Sequence, residues 1–445
     1  MNQIANFFTR LVNRYLPDPL VIAILLTALT LVLAVAIEGA NPVQALNDWG
    51  DGFWDLLAFS MQMTVILLAG YILAKTPLVD SLLGRIAASV STPFMAIVVA
   101  TLVGGIGSWL NWGFGLVIGS LVAQKLAMNV RGLHYPLVIS AAYSGFALYG
   151  IGLSGTVPLL LATPGHFLED QIGIVSLGDT IFSPFVLGAT IAVLVTLPFF
   201  NAWMHPKRDE DIIEIKMDDG AAGDTPDQGL PTPRNTVAER LNDSPAIGIG
   251  IGLLGLIYVL LHFYDGGSLN LNILNFAFVF LGILLFASPQ KYLGALNDGV
   301  RIVAGIIVQY PFYAGIMAIL TGSGLVTSFA QAFVGISTAE TLPIWSFISG
   351  GIVNLLAPSG GGQWAVQGPV MVEAAKSLGA SQPATALAVQ IGDQWTNMVQ
   401  PFWLLPVLAI SGLKLRDVMG YMVLVLFYLG FIFGTTVLLW GFISA

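Results

Sequence analysis

The residues best suited to chemistry lie in two apolar spans that glycine and proline interrupt. The first interruption contains Ser154 and Thr156, and the second contains Asp393, Thr396 and Asn397. Glycine and proline free backbone amides and carbonyls that a continuous helix would use. Amides at the start of a half-helix attract a small anion, whereas amide, carbonyl and hydroxyl oxygens hold a cation. The two segments predict a site for a small ionised solute, and ordinary flexible membrane helices are the alternative.

A glycine-rich break precedes each of these spans. The first is Asn111-Trp-Gly-Phe-Gly, which contains Gly113 and Gly115, and the second is Ala357-Pro-Ser-Gly-Gly-Gly, shortly after Asn354. We expect a carboxylate to lie between the first break and the residues of the second, which are Ser359, Gly360, Gly361, Gly362 and Gln363. Asn111 and Asn354 are also candidate ligands for a coupling ion, because their amide oxygens can hold a cation.

Asp393 is the one acidic residue that we place deep in a span. An intramembrane carboxylate is costly and is therefore a candidate functional group. We expect it to bind a coupling cation or to carry a proton, and a structural carboxylate that caps the broken helix is the alternative. No Lys or Arg is predicted at this depth, so helix dipoles, amides, hydroxyls or a co-bound cation must balance an anionic solute. Sodium or a proton is the expected coupling ion, with no other metal and no cofactor.

Composition indicates the class of protein that positions these residues. The 445-residue chain is 56% hydrophobic and 9% charged, with a mean hydropathy of +0.83. Its apolar runs predict spans at 20–37, 53–74, 136–163, 184–204, 245–264, 271–287, 302–320, 383–411 and 418–440. The first run is too long for a signal peptide and lacks a cleavage site, so we expect it to remain as a span. We expect the lipid bilayer as the environment and no nucleic-acid partner.

The distribution of basic residues predicts the orientation. Arg10 and Arg14 place the amino terminus in the cytoplasm, and threading the spans in order then leaves only Lys376 outside among the 16 Lys and Arg residues. Two further apolar stretches, 94–124 and 344–375, are too short for two crossings and a turn. We therefore predict a re-entrant hairpin in each, because irregular backbone at that depth must be buried or line a wet cavity.

The two halves of the chain match at a spacing near 245 residues. Asp51-Gly52 pairs with Asp298-Gly299, Asn111 with Asn354, and Pro93 with Pro343. Each half reads span, span, hairpin, broken span, span. The four crossings of the first half and the linking helix make five crossings. Because this number is odd, the second half is inverted relative to the first, which is the architecture of secondary transporters. The predicted units are a first repeat at 1–204, a cytoplasmic linker at 205–243, a linking helix at 244–270 and an inverted repeat at 271–445.

An enzyme is the competing class. Gly152-Leu-Ser-Gly matches the pattern of an intramembrane serine hydrolase with Ser154 as nucleophile. That chemistry needs a histidine base at the same depth. The four histidines are predicted near span ends, and no His-Glu-x-x-His spacing occurs. The sequence therefore favours transport over catalysis.

At its longest motifs the chain resembles the bacterial short-chain fatty acid transporter family, within the ion-transporter superfamily. The resemblance covers essentially the whole length. The motifs are Arg14-Tyr-Leu-Pro-Asp-Pro-Leu, Trp49-Gly-Asp-Gly-Phe-Trp, Asn111-Trp-Gly-Phe-Gly, Leu161-Ala-Thr-Pro-Gly, Gln309-Tyr-Pro-Phe-Tyr-Ala-Gly-Ile, Pro358-Ser-Gly-Gly-Gly-Gln-Trp, Val366-Gln-Gly-Pro and Gln400-Pro-Phe-Trp.

The resemblance implies ion-coupled uptake of monocarboxylates such as acetoacetate or butyrate across the inner membrane, by a homodimer with an elevator-like movement. A carrier of dicarboxylates or other small organic anions is the alternative within transport. The chain departs from the family pattern at Gln363, where that pattern implies His, and at Asp393, where it implies Glu. Without that titratable His, sodium coupling is at least as plausible as a proton relay.

Overall fold

The computed structural model describes residues 17, 19–215, 236–356 and 358–444 of the chain. Throughout this part the ordered elements are helices, and no strand is present. The first half contains α1 (Pro19–Glu38), α2 (Pro42–Gly52), α3 (Leu57–Ala74), α4 (Pro77–Ala88), α5 (Pro93–Leu110), α6 (Trp112–Asn129), α7 (Tyr135–Ser144), α8 (Thr156–Leu161), α9 (Glu169–Ile172) and α10 (Pro184–Trp203).

The second half follows a connecting region. It contains α11 (Val237–Asn242), α12 (Pro245–Tyr264), α13 (Leu271–Phe286), α14 (Pro289–Ser323), α15 (Leu325–Ile336), α16 (Leu342–Leu356), α17 (Gly360–Leu378), α18 (Gln382–Thr396), α19 (Pro401–Ser411) and α20 (Leu415–Ser444). Proline opens many of these helices, for example at Pro42, Pro93 and Pro184. Its fixed φ suits the first helical turn, where its missing amide costs nothing.

Eight helical segments in the described ranges are long and apolar enough to cross a membrane. An all-α, multi-pass membrane protein is therefore confirmed. Most span boundaries also agree with the sequence prediction to within a few residues. The exception is α14, which begins at Pro289 rather than near 302. Its first turns carry charged residues, including Lys291 and Asp298, which keep them below the hydropathy of a span.

The two halves present the same order of elements. Helices α2 and α3 of the first half correspond to the single long α14, and α4 corresponds to α15. The pair α5 and α6 corresponds to α16 and α17, the broken span α7–α8 to α18–α19, and α10 to α20. Helix α12 lies between the halves. Asn111 and Ser359 share a role, because each caps the second helix of its pair, whereas Asn354, the predicted counterpart of Asn111, lies inside α16.

Some sequence predictions fall outside the described residues. These are Arg10 and Arg14 near the amino terminus, residues 216–235 of the proposed linker, and Ala357. The described start of the linker packs against the chain before α7. Tyr135 donates its amide to the Ile213 carbonyl at 2.7 Å, and the Ile213 amide donates to His134 Nδ1 at 3.0 Å. The linker is therefore anchored to the loop between α6 and α7.

This anchor predicts a pH dependence of stability. Burial, with a smaller effect of nearby His205, lowers the pKa of His134 from 6.5 to about 4. Since Nδ1 must stay unprotonated to accept from Ile213, stability is intact above pH 6.5 and falls as the pH decreases toward 4. At pH 5 we expect a loss of about 2 kcal/mol relative to pH 7. Thermal unfolding in detergent at both pH values measures it.

His134→Asn is the matched variant, because its amide oxygen can accept from Ile213 without titrating. The acid-induced loss should shrink in this variant but not vanish, since burial also lowers the pKa of His166. An identical acid-induced loss in wild type and His134→Asn would exclude His134 as the cause.

Candidate functional site

The tips of the two helix pairs are capped by polar side chains. Asn111 Oδ1 accepts from the Phe114 amide at 2.9 Å, while its Nδ2 donates to the Ile66 carbonyl at 3.2 Å. Ser359 Oγ accepts from the Gly362 amide at 3.4 Å and donates to Tyr310 Oη at 3.2 Å. Ile66 lies midway along α3, so the first tip sits at the middle of an apolar span. Each cap satisfies helix-end amides that would otherwise be unpaired.

The first broken span is bound to the first tip. After α7 the chain forms a 3₁₀ segment, Gly145–Ile151, and α8 begins at Thr156. The Leu153 amide donates to the Trp109 carbonyl at 2.7 Å, and Ser154 Oγ accepts from the Trp112 amide at 2.9 Å. Ser154 therefore caps α6, and its hydroxyl contacts none of the four histidines. This is a structural role and not that of a hydrolase nucleophile.

The second broken span is bound to the second helix pair in a similar way. Helix α18 ends at Thr396, and a 3₁₀ turn over Asn397–Val399 precedes α19. Asn354 Nδ2 lies 2.9 Å from the Asp393 carbonyl, 2.9 Å from Thr396 Oγ1 and 2.7 Å from Asn397 Oδ1. Asn354 thus joins α16 to the break, and its contacts are with protein groups.

The two breaks also contact each other across the halves of the chain. The Val157 amide donates to Gln390 Oε1 at 3.2 Å, and the Gly150 amide donates to Gln394 Oε1 at 3.0 Å. These bonds satisfy amides that the interrupted first span leaves free. The crossing of the two breaks thereby forms one connected polar centre inside an apolar protein.

Asp393 lies in this centre, 1% exposed. The Tyr149 hydroxyl donates to its Oδ2, and Gln390 Nε2 donates to the same oxygen at 3.3 Å. Its Oδ1 is buried with no hydrogen-bond partner. In the described part of the chain no ion pair involves this carboxyl. An ionised carboxylate here depends on neutral donors alone, which is unusual for a buried charge.

A partly open cavity lies beside Asp393. Its polar lining consists of Trp112, Tyr149, Thr156, Gln309, Tyr310, Ser359, Gly360 and Gly361, and its apolar lining of Met63, Ile306, Pro358, Phe402 and Trp403. No lysine, arginine, histidine or acidic residue occurs among these described lining residues. The first turns of α8 and α17 both open onto it, through Thr156 and Gly360. The cavity therefore offers amides, hydroxyls and ring NH groups to an anion and apolar walls to a short chain.

Some of the predicted site residues line the cavity, and the others hold the surrounding helices together. Thr156, Ser359, Gly360 and Gly361 line the cavity. The others lie nearby without lining it. Asn111, Ser154, Asn354, Thr396 and Asn397 join helices, as described above. Gly113 packs on Leu67, Gly115 on Ser108, Gly362 on Tyr313, and Gln363 donates to the Gly350 carbonyl at 2.9 Å.

Tyr149 and Tyr310 are among the cavity residues that the predicted site does not include. Each lies inside a segment that the sequence did single out, Tyr149 before the first break and Tyr310 directly after Gln309. A tyrosine deep in a span needs a partner for its hydroxyl, and that requirement was the available signal. Gln309 also lines the cavity, whereas the Gln62 amide of α3 donates to Asn272 Oδ1 at 2.8 Å.

Comparison with known proteins places this geometry in a family. Residues 1–440 match the family described as "Short chain fatty acid transporter". The chain is 41% identical over 435 residues to a putative short-chain fatty acid transporter of Escherichia coli K12, covering 97% of this chain and 98% of that protein. It is 38% identical over 442 residues to a protein of the same description from Haemophilus influenzae, with the same coverage of both chains.

Solved structures show a similar fold at low identity. The Alcanivorax borkumensis YdaH transporter, which has an unusual topology, superposes with a TM-score of 0.64 at 15% identity, covering 95% of this chain and 98% of that chain. Neisseria gonorrhoeae MtrF, from a class of antimetabolite efflux pumps, gives 0.60 at 16% identity, covering 99% and 98%. With the whole-length family match and two relatives near 40% identity, the chain belongs to the short-chain fatty acid transporter family and is a transporter rather than an enzyme.

Proposed function

We propose that this protein is an ion-coupled carrier of short-chain monocarboxylates, such as butyrate and acetoacetate, across the bacterial inner membrane. The observation that best supports this proposal is the cavity where α8 and α17 begin. Ser359 Oγ uses the Gly362 amide, so the amides of Gly360 and Gly361 remain outside the hydrogen bonding of the helix. A carboxylate can accept from these amides and from the Tyr310 hydroxyl, without a cationic side chain.

The apolar part of the lining supports a short acyl chain. Met63, Ile306, Phe402 and Trp403 present apolar surface to the cavity. A short methylene chain against these residues gains about 0.8 kcal/mol for each buried CH₂ group. One charged end and one apolar end thus match the chemistry of the cavity.

A dicarboxylate carrier is the second candidate, and one observation favours it. Helix α8 also begins at the cavity, with Thr156 at its first position. A second helix start could hold a second carboxylate. The Val157 amide, however, is already used by Gln390 Oε1, which leaves fewer free donors at this end.

The same proposal includes the membrane arrangement. The two halves would be inverted repeats, and the α5–α6 and α16–α17 pairs would be re-entrant. Helix length does not distinguish re-entry, because α5 and α6 have 18 residues each, or about 27 Å. The support comes from the tip, since Asn111 binds the middle of α3. The amino terminus would lie in the cytoplasm, and two such chains would form a homodimer.

Uptake by the purified full chain in proteoliposomes tests the proposal. We expect labelled butyrate to accumulate under an imposed ion gradient beyond the amount in protein-free vesicles, which corrects for diffusion of the neutral acid. Sodium and pH gradients are imposed separately. Excess acetoacetate should compete and excess succinate should not. Competition by succinate alone would favour the dicarboxylate carrier, and no butyrate uptake under either gradient would contradict the proposed substrate.

A further inference from the structure

We propose that the coupling ion is a proton carried by Asp393, and that the Tyr149 hydroxyl links this proton to substrate binding. The inference rests on the proposed function and specifies its coupling. Tyr149 is the residue that joins the two parts of the site: it lines the cavity and donates to Asp393. A Cβ added at Gly360 would lie 2.9 Å from Tyr149 Oη, so this hydroxyl also adjoins the start of α17, which lines the cavity.

The hydrogen-bond directions around Asp393 are fixed by backbone groups. Gln390 Oε1 accepts from the Val157 amide at 3.2 Å, so Nε2 is the end of this side chain that faces Tyr149 and Asp393. Nε2 lies 3.1 Å from Tyr149 Oη and 3.3 Å from Asp393 Oδ2, and it can only donate to both. The donors bonded to Asp393 Oδ2 are therefore one Gln390 amide hydrogen and the Tyr149 hydroxyl hydrogen, and the Asn397 side-chain amide is a further neutral donor beside the carboxyl.

The single hydrogen of Tyr149 cannot serve two anions. When Asp393 is ionised, this hydrogen is used by Oδ2, and the tyrosine oxygen alone faces the cavity. A substrate carboxylate then meets a lone pair instead of a donor. When Asp393 carries a proton, its own O–H can donate to Tyr149 Oη. The tyrosine hydrogen is then free to turn toward the substrate carboxylate, so protonation of Asp393 favours binding of the anion.

The surroundings provide no other charge for this role. Tyr149 and, more weakly, Tyr310 are the titratable groups of the described chain that act on Asp393. On the packed helices, α16 and α8 carry no titratable residue, and Tyr143 of α7 donates to the Asn397 carbonyl. The tyrosines of α20 face elsewhere, Tyr421 toward His134 and Tyr428 toward Thr196.

The remaining charged residues of the packed helices lie at their ends. On α17, Glu373 and Lys376 are thirteen or more residues beyond Gly360, which is roughly 20 Å along the helix. On α20, Arg416 pairs with Asp417 in the first turn. A proton on Asp393 is therefore the charge change available at the centre of the described chain.

The proton balance is simple. A proton from water on the outer side binds Asp393, and the substrate anion then binds with Tyr149 as a donor. The neutral pair crosses together, and both are released to the inner solution. Tyr149 changes its hydrogen-bond acceptor in this cycle and keeps its own proton. One proton moves with each carboxylate, so the step carries no net charge.

Two substitutions in the full-length protein distinguish the coupling of Asp393 protonation to substrate binding from substrate binding itself. In Asp393→Asn the amide NH₂ donates to Tyr149 Oη permanently, as the protonated acid does. Labelled acetoacetate exchange should then persist and lose its pH dependence, while accumulation driven by a pH gradient should be lost. Tyr149→Phe removes the linking hydrogen, so acetoacetate affinity should fall about 10- to 100-fold at every pH. In wild type, exchange should strengthen as the pH is lowered.

Tyr135→Phe is the matched control, since its hydroxyl is also buried but donates to the Ser411 carbonyl at the last residue of α19, away from the breaks and the cavity. It should behave as wild type, with folding of each variant checked by size exclusion and thermal unfolding. The inference is overturned if folded Asp393→Asn still accumulates acetoacetate under a pH gradient beyond the amount in protein-free vesicles, or if it loses exchange. It is also overturned if a sodium gradient alone drives wild-type accumulation. If the wild-type protein exchanges neither acetoacetate nor butyrate, the proposed function fails as well. This outcome distinguishes failure of the proposed function from failure of the proton-coupling inference.

Discussion

Replacing Gly115 with alanine is expected to abolish transport by separating α5 from α6. A Cβ at this position would overlap the backbone nitrogen and Cα of Ser108 on the facing helix. Backbone atoms cannot rotate away as a flexible side chain can, so the two helices must move apart. Overpacking of this kind costs about 1–3 kcal/mol or more. The expected result is little folded protein in detergent, or folded protein that takes up no butyrate, measured by size exclusion and vesicle uptake.

Gly188→Ala is the control for this prediction. Gly188 lies in α10 with no atom within 4 Å of an added Cβ. Alanine favours a helix over glycine by about 1 kcal/mol, so this variant should be as stable as wild type or slightly more stable. If Gly115→Ala behaves like Gly188→Ala in both assays, the close approach of α5 and α6 is not required.

Replacing Asn354 with alanine is expected to have the second large effect. The change removes the amide that bonds the Asp393 carbonyl, Thr396 Oγ1 and Asn397 Oδ1, all inside the protein. Buried acceptors without donors are costly, so we expect a loss of about 2–4 kcal/mol. Because the same bonds hold the second break beside Asp393, butyrate uptake should fall together with stability. Thermal unfolding and butyrate uptake provide the two readouts.

Asn275→Ala gives the matched comparison. Asn275 is also buried in a helix, but its Nδ2 makes one bond, to the Gln62 carbonyl at 2.9 Å. We expect a loss of about 1 kcal/mol and nearly normal uptake. Equal stability and equal uptake in Asn354→Ala and Asn275→Ala would show that the Asn354 contacts do not position the break.

Much of the fold was predictable because lipid imposes simple rules. An apolar run must form a helix there, so the predicted spans at 184–204 and 245–264 agree with Pro184–Trp203 and Pro245–Tyr264. The helix breaks at Asn111 and before Thr156 were also visible, since asparagine and glycine mark them. The amphipathic α2, α4 and α15 were missed, because their polar faces lower their hydropathy and a search for continuous apolar runs excludes them.

The candidate site was predictable only in part. Helix ends depend on local sequence, so the chain around Ser359 and Thr156 was recognisable as part of a site. Contacts between distant segments do not follow from local sequence. Tyr149 and Asp393 are 244 positions apart, and no spacing rule relates them. For the same reason the sequence pairs Asn111 with Asn354, an identical residue, although Ser359 is the residue that shares the capping role of Asn111.

Protection of an introduced cysteine tests the central claim, that a monocarboxylate binds in the cavity, most directly. The chain contains no cysteine, so Ile306→Cys in the cavity and Val43→Cys on exposed α2 each create a unique thiol. Labelling by an anionic methanethiosulfonate is followed with and without butyrate. At ten times the Kd, butyrate should slow labelling at position 306 about tenfold, since only about a tenth of sites stay free, and leave position 43 unchanged. Equal labelling at position 306 with and without butyrate, in protein that still takes up butyrate, would contradict the assignment.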